Sequence, residues 1–277
     1  MLVELGLLRA RLERPQTRKF AWPIALIPEL FTTPRHLTIM AGHLVSLGWE
    51  VYMLDAYSAQ PHAYPGFNPD AKAFSTLLQR VHSALSNIGS PLVVAGHGLG
   101  GSLALKLAED PLVRAAVALA PLIPGPHSPR LWQRSRWMSL WRSESVTLPV
   151  RRRILELLAD ADPFERESLI NALSTADPAP AIEMAEGRVE FAANQTPRLV
   201  IAGEADIFAP PQKAERFASE IEAQFINLPG RRHWLIGGRA LERTIAQMQR
   251  FLVRASGEEL LLLYQPPNAD ADDQDDE

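Results

Sequence analysis

The sequence predicts an α/β protein: a mainly parallel central sheet with helices on both faces and a helical insertion in the second half of the chain. Three observations carry this. Apolar runs of strand length alternate with helix-like stretches from Ala21 to Leu119, and again from Arg198 to Leu252. The run Leu92–Ala95 ends in a glycine-dense turn, Gly96-His97-Gly98-Leu99-Gly100-Gly101, and an Ala/Leu-rich stretch follows it. Between Leu122 and Thr196 the alternation stops and only helix-like segments occur. Strands that alternate with helices pair in parallel, because each crossover returns the chain to the same edge of the sheet.

Taken in order, residues 2–5 and 7–13 read as two short strands turning at Gly6. Residues 21–27 form a strong strand in which Pro23, lacking an N–H, belongs near the start. Residues 35–47 make an amphipathic helix stopped by Gly48, and 49–54 the next strand. A Pro- and aromatic-containing loop to Asp70 leads into a helix through Asn87, with Phe74, Leu77, Leu78, Val81 and Leu85 on one face. The strand before the glycine turn, its helix and a strand at 113–119 complete the first half. Helix-like segments follow at about 130–141, 150–159, 163–174 and 179–186. The rhythm resumes with a strand at 198–202, a helix at 211–221, a strand at 224–228 and a helix at 240–252.

With 277 residues and 47% hydrophobic content, the chain can bury a large core as one domain with an insertion. No apolar run approaches the roughly 20 residues a bilayer requires. The N-terminus has an early acid and no basic region before an apolar core, so no signal peptide is expected and a cytoplasmic location fits. The absence of cysteine excludes disulfides, thiolate metal sites and cysteine nucleophiles. The formal charge is −4, but six acids lie in the tail 268–277, which leaves the rest of the chain at +2. The tail, 265–277, offers almost no apolar surface and is expected to be disordered.

The chemistry gathers in three stretches. In Gly96-His97-Gly98-Leu99-Gly100, glycines stand two before and two after the tip, as a sharp strand-to-helix turn requires where backbones pass closely. Leu199 to Pro210 is a strand followed by a turn carrying Asp206. Leu228 to Gly238 is a loop carrying His233. A histidine titrating near neutral pH moves protons, and a neighbouring carboxylate fixes its tautomer. Both residues follow parallel strands, where such sheets bind ligands.

In this order, the three stretches resemble the nucleophile turn, acid turn and histidine loop of the α/β-hydrolase superfamily, with the esterases and lipases its nearest types. The resemblance covers roughly residues 2–254. It implies an α/β-hydrolase core at 1–121 and 197–264, a helical cap at 122–196, Asp206 as triad acid and His233 as triad base. Gly98 stands where the family has its serine nucleophile. Ser102, one helical turn further on, is out of reach of that position and reads as a helix-packing residue, as His97 reads as a packing residue. The oxyanion region departs too: Glu29 falls where the family has glycine, followed by Leu30 and Phe31, and the N–H of Leu99 with one from Leu30 or Phe31 would form a polar nest. The ordinary expectation for Glu29 is a solvated loop acid. Turned inward, it would repel an oxyanion, bind a water or act as a base.

The cap carries Trp132, Trp137 and Trp141, and seven arginines against one acid between Arg130 and Arg153. The simplest reading is a cap helix that buries its aromatics with its arginines in water. Guarding a pocket for an anionic, apolar ligand and docking on anionic lipid are the alternatives. No nucleic-acid motif, metal-ligand spacing or dinucleotide fingerprint is present, so no cofactor is expected. Three functions fit. The leading one is a degenerate hydrolase binding a small apolar or acyl-type ligand without turnover. The others are an enzyme using His233–Asp206 for proton transfer or water activation without a covalent intermediate, and a serine esterase whose nucleophile has been altered to glycine.

Overall fold

The computed structural model describes residues 1–57, 73–125, 151–174 and 176–261. They form one eight-stranded sheet, from β1 (Leu2–Leu5), β2 (Leu8–Glu13), β3 (Ile24–Ile27), β4 (Val51–Leu54), β5 (Leu92–His97), β6 (Val113–Leu119), β7 (Arg198–Gly203) and β8 (Gln224–Leu228). The strand order is β1-β2-β4-β3-β5-β6-β7-β8. β1 pairs antiparallel with β2 and β2 with β4, and all other pairs are parallel. Pro23 stands one residue before β3, where only its carbonyl joins the ladder, accepting from the N–H of Val93.

The helices divide between the two faces, as the alternation in the strands requires. Val93, Ala95, Ala115, Val117, Leu199 and Ile201 meet Met40 and Leu44 of α1 (Thr38–Ser46) and Ile245, Met248 and Leu252 of α8 (Leu241–Leu261). On the other face Ala25, Ile27, Val94 and Ala116 meet Phe74, Leu77 and Val81 of α2 (Ala73–Ser86) and Leu103 and Leu107 of α3 (Leu99–Leu107). Val200 and Ala202 pack there against Ala214 and Phe217 of α7 (Pro211–Glu220). Three helices, α4 (Arg151–Leu157), α5 (Pro163–Asn171) and α6 (Ala179–Ala185), occupy the described part of the stretch between β6 and β7. They correspond to three of the four segments expected there. The fourth, with Trp132, Trp137 and Trp141, lies outside the described residues, as does the acidic tail.

Two element boundaries differ from expectation. The helix expected at 35–47 opens as a 3-10 turn at Pro34–Leu37, and its capping residue Thr33 exchanges hydrogen bonds with His36. The last helix runs beyond Leu252 to Leu261, with a break at Gly257, whose φ is +47°.

Candidate active site

The parallel strands bring their C-terminal ends to one edge, and register sets which loops meet there. Ile27 of β3 pairs with Gly96 of β5, so the loop after β3 emerges beside the turn into α3. At that turn Gly98 has φ +55° and ψ −120°, a conformation that strains any residue with a Cβ. A Cβ on Gly100 would lie 2.4 Å from the carbonyl oxygen of Ile27, so the close passage of helix and strand needs glycine there.

Asp206 follows β7, and its position is fixed by its own turn. Oδ1 accepts from the N–H groups of Phe208 (2.7 Å) and Ala209 (3.0 Å), leaving Oδ2 for Nδ1 of His233 at 2.8 Å. His233, on the loop after β8, is held from behind: its carbonyl accepts from Nε2 of His97 at 2.8 Å, and the Phe208 ring lies 5.2 Å from its imidazole. Asp206 and His233 are 4% and 1% exposed. The pair expected from the sequence therefore meets.

Glu29 does not behave as a solvated loop acid. It is 3% exposed and turned inward. Its Oε1 accepts from the N–H groups of Leu30 (2.7 Å) and Leu99 (3.1 Å), and its Oε2 lies 3.2 Å from Nε2 of His233. A Cβ added to Gly98 would stand 1.3 Å from Oε2, so the carboxylate occupies the space a side chain at position 98 would fill. The reason is electrostatic. Two backbone N–H groups and an imidazole converge on that point, and a carboxylate satisfies all three. The polar nest expected at Leu30 and Leu99 exists, and its occupant is the protein's own side chain. Phe31 is buried with φ +67° and contributes its carbonyl, which accepts from the N–H of Ser174, rather than an N–H to the nest. The loop is further tied by the Tyr57 hydroxyl donating to the Pro28 carbonyl.

Ser102 packs as expected: its hydroxyl donates to the Leu122 carbonyl at 2.7 Å, on the helix and away from the tip. His97 is fully buried. Burial, and then the charge of His233, push its pKa down to about 4, so it is neutral. For His233 burial works in the same direction, but Asp206, and then Glu29, outweigh it and push the pKa up to about 10. Asp206 is held below its usual value: burial opposes this, but the His233 charge and the hydrogen bonds from His233, Ala209 and Phe208 prevail. At neutral pH His233 therefore keeps its proton, with Nδ1 facing Oδ2 of Asp206 and Nε2 facing Oε2 of Glu29. Glu29, His97 and His233 also present ligand atoms within 4.8 Å of one another. In those three residues both carboxylate oxygens, both His233 nitrogens and Nε2 of His97 are engaged in hydrogen bonds, which describes a proton network rather than a ligand shell.

A family model described as "Alpha/beta hydrolase family" matches residues 19–247. The chain belongs to that family. Among solved structures, the chain resembles a thermophilic esterase from Thermogutta terrifontis, at 16% identity and a TM-score of 0.68, covering 93% of this chain and all of the other. A monoacylglycerol lipase from Paleococcus ferrophilus gives 17% identity and a TM-score of 0.65, over 88% and 98% of the two chains. Epoxide hydrolases from metagenomes of hot environments give 16% and 0.62, over 91% and 98%. At these identities the likeness is one of fold. Among curated proteins none matches this chain in sequence. No helix among the described residues is long and apolar enough to cross a membrane.

Proposed function

We propose that this hydrolase-family protein acts on a small apolar molecule without serine acyl transfer, with His233–Asp206 serving the carboxylate of Glu29 in place of a hydroxyl at position 98. One observation carries the reading: Oε2 of Glu29 stands where a side chain on Gly98 would begin. An esterase that had merely lost its serine hydroxyl would leave that space, and the N–H groups of Leu30 and Leu99, to water or substrate. Here a carboxylate fills the one and engages the other. An ester substrate would find both oxyanion donors taken by a negative charge.

A second reading, a binding protein without turnover, is favoured by the internal satisfaction of the site. An imidazolium already paired on both nitrogens takes up no further proton.

A serine-directed phosphonate and a short activated ester test the proposal. The unmodified protein is expected to be inert to both. Gly98→Ser alone should remain inert, because its Cβ collides with Oε2 and its φ of +55° strains an L-residue by roughly 1–2 kcal/mol. Glu29→Gly combined with Gly98→Ser should acquire labelling that disappears when His233 is replaced by Gln. Phosphonate labelling of the unmodified protein at any serine would refute the proposal.

A further inference from the structure

The sheet alone does not set how Glu29 meets His233. In the strand order β3 and β8 are separated by β5, β6 and β7, so the loops that carry the two residues emerge with three strands between them. Each loop is tied toward the middle of the sheet, Glu29 by the Leu99 N–H and His233 by Asp206 and Nε2 of His97. A further tie comes from outside the sheet, where the stretch 160–174 touches both loops within a few residues of the site.

On the His233 side a single residue makes the tie. Asp160 is 6% exposed, and its Oδ2 accepts from the backbone N–H of Arg232, the residue just before His233. Its carbonyl accepts from the N–H of Arg239 at 3.2 Å. A Cβ on Gly238, whose φ is +54°, would lie 2.0 Å from that carbonyl oxygen, so the loop runs flush against residue 160. Asp160 thus holds both ends of the segment 232–239. Trp234, Leu235 and Ile236, between those ends, are buried in the cluster that takes in Leu158 and Ala161. A carboxylate bound to a peptide N–H orients that peptide more firmly than a neutral acceptor does, and the Arg232 peptide leads directly into the backbone from which the His233 ring projects.

On the Glu29 side the same stretch is bound three times. The N–H of Ser174 donates to the Phe31 carbonyl at 2.9 Å, Oγ1 of Thr33 to the Ala172 carbonyl at 3.4 Å, and Nε2 of His36 to the Leu169 carbonyl at 2.9 Å. His36 is buried, which lowers its pKa and keeps it neutral, so its Nδ1 can accept from the N–H of Thr33 while Nε2 donates. Phe31, with φ +67°, holds a conformation that persists only where its surroundings fix it.

We propose that Asp160 is a positioning residue for His233, and that the stretch 160–174 sets the contact between Nε2 of His233 and Oε2 of Glu29 by gripping both loops. The proposal concerns how the two side chains meet, so it stands whether the site turns a molecule over or only binds one. Asp206, Glu29 and the neutral His97 are the titratable groups facing the His233 ring. Without the Arg232 tether, Asp206 stays at Nδ1 and the 3.2 Å contact at Nε2 lengthens. His233 then keeps only one of the two carboxylates that raise its pKa, and it releases its proton at lower pH.

Asp160→Ala and Asp160→Asn in the full chain test this, with His233 followed by the NMR shifts of its imidazole nitrogens as pH rises. His233→Gln identifies the signal. Asp160→Ala should lower the titration midpoint by about one pH unit, a tenfold loss of proton affinity. Asp160→Asn, which keeps an oxygen toward the Arg232 N–H without the charge, should restore most of it. Phe217→Leu loosens the core on the opposite face of the sheet and should leave the midpoint where it is. An unchanged midpoint in Asp160→Ala would overturn the proposal. Equal falls in Asp160→Ala and Asp160→Asn would do the same, because the charge of Asp160 and not its grip on Arg232 would then be the cause. A comparable fall in Phe217→Leu would reduce Asp160 to general stability. If Asp160→Ala does not fold, hydrogen exchange of the unmodified protein decides. Arg232 is exposed and its amide donates to Asp160, so that amide should be protected and should open together with those of Arg239 and Ser174. Free exchange at Arg232, or opening of Ser174 independently of it, would overturn the proposal.

Discussion

At the scale of single residues, the site turns on Glu29. The sequence contained a sign of its inward position: it is the one charged residue between Lys19 and Arg35, flanked by Leu26-Ile27-Pro28 and Leu30-Phe31. An acid in such a stretch has an apolar strand behind it and apolar neighbours on both sides. What local sequence does not contain is the convergence of Leu99 N–H and His233, which come from residues 70 and 204 positions away. Asp206 and His233 were legible because each follows a strand in a recognisable turn. The buried row gives a pH prediction. His233 rises from an ordinary 6.5 to about 10, so the folded state holds a proton that the unfolded chain releases. Its contribution to stability is complete below about 6.5 and fades as pH climbs through about 10. Thermal melts across that range should show a falling Tm. In Glu29→Gln, where Asp206 alone supports the charge, the fall should begin at the same pH, end at a lower one and be smaller. A flat profile, or one identical in the variant, would contradict the ion row.

At the scale of elements, the close crossing of α3 over β5 and β3 is built on absent side chains. A Cβ on Gly96 would lie 2.1 Å from the Gly100 oxygen, and one on Gly100 would lie 2.4 Å from the Ile27 oxygen. These neighbours are backbone and cannot swing aside. Gly100→Ala should therefore cost about 1–3 kcal/mol, read from the urea midpoint. Gly42 lies on the exposed side of α1 with nothing within 4 Å of an added Cβ. Gly42→Ala should stabilise by about 0.5–1 kcal/mol in the same assay. Equal effects of the two changes would mean that helix propensity, not packing, governs both. Strand and helix positions were largely legible because apolar period reports burial. The end of α8 was not. Its apolar period fades after Leu252, while helix-favouring Arg254 and Ala255 follow, the latter still packed against the core.

At the scale of the whole molecule, the strand order is the part that sequence conveys least. Nothing local to residues 24–27 says that β3 lies between β4 and β5, a pairing that closes over many tens of residues. The class of fold was legible, because alternation of strands with helices leaves few alternatives. For the tail, removal of residues 268–277, six of them acidic, should leave Tm unchanged, because the segment has little apolar surface to bury. A drop of several degrees would show docking. The adjacency of β3 and β5 bears on the protein's history. Positions 29 and 98 share one small space, so what one residue can be depends on the other. Serine introduced opposite Glu29 collides, and glycine introduced at 29 opposite Gly98 leaves two N–H groups and an imidazolium facing nothing. Each single step between a hydroxyl site and a carboxylate site descends before the second climbs. A lineage that has crossed that valley has no path back that climbs at every step.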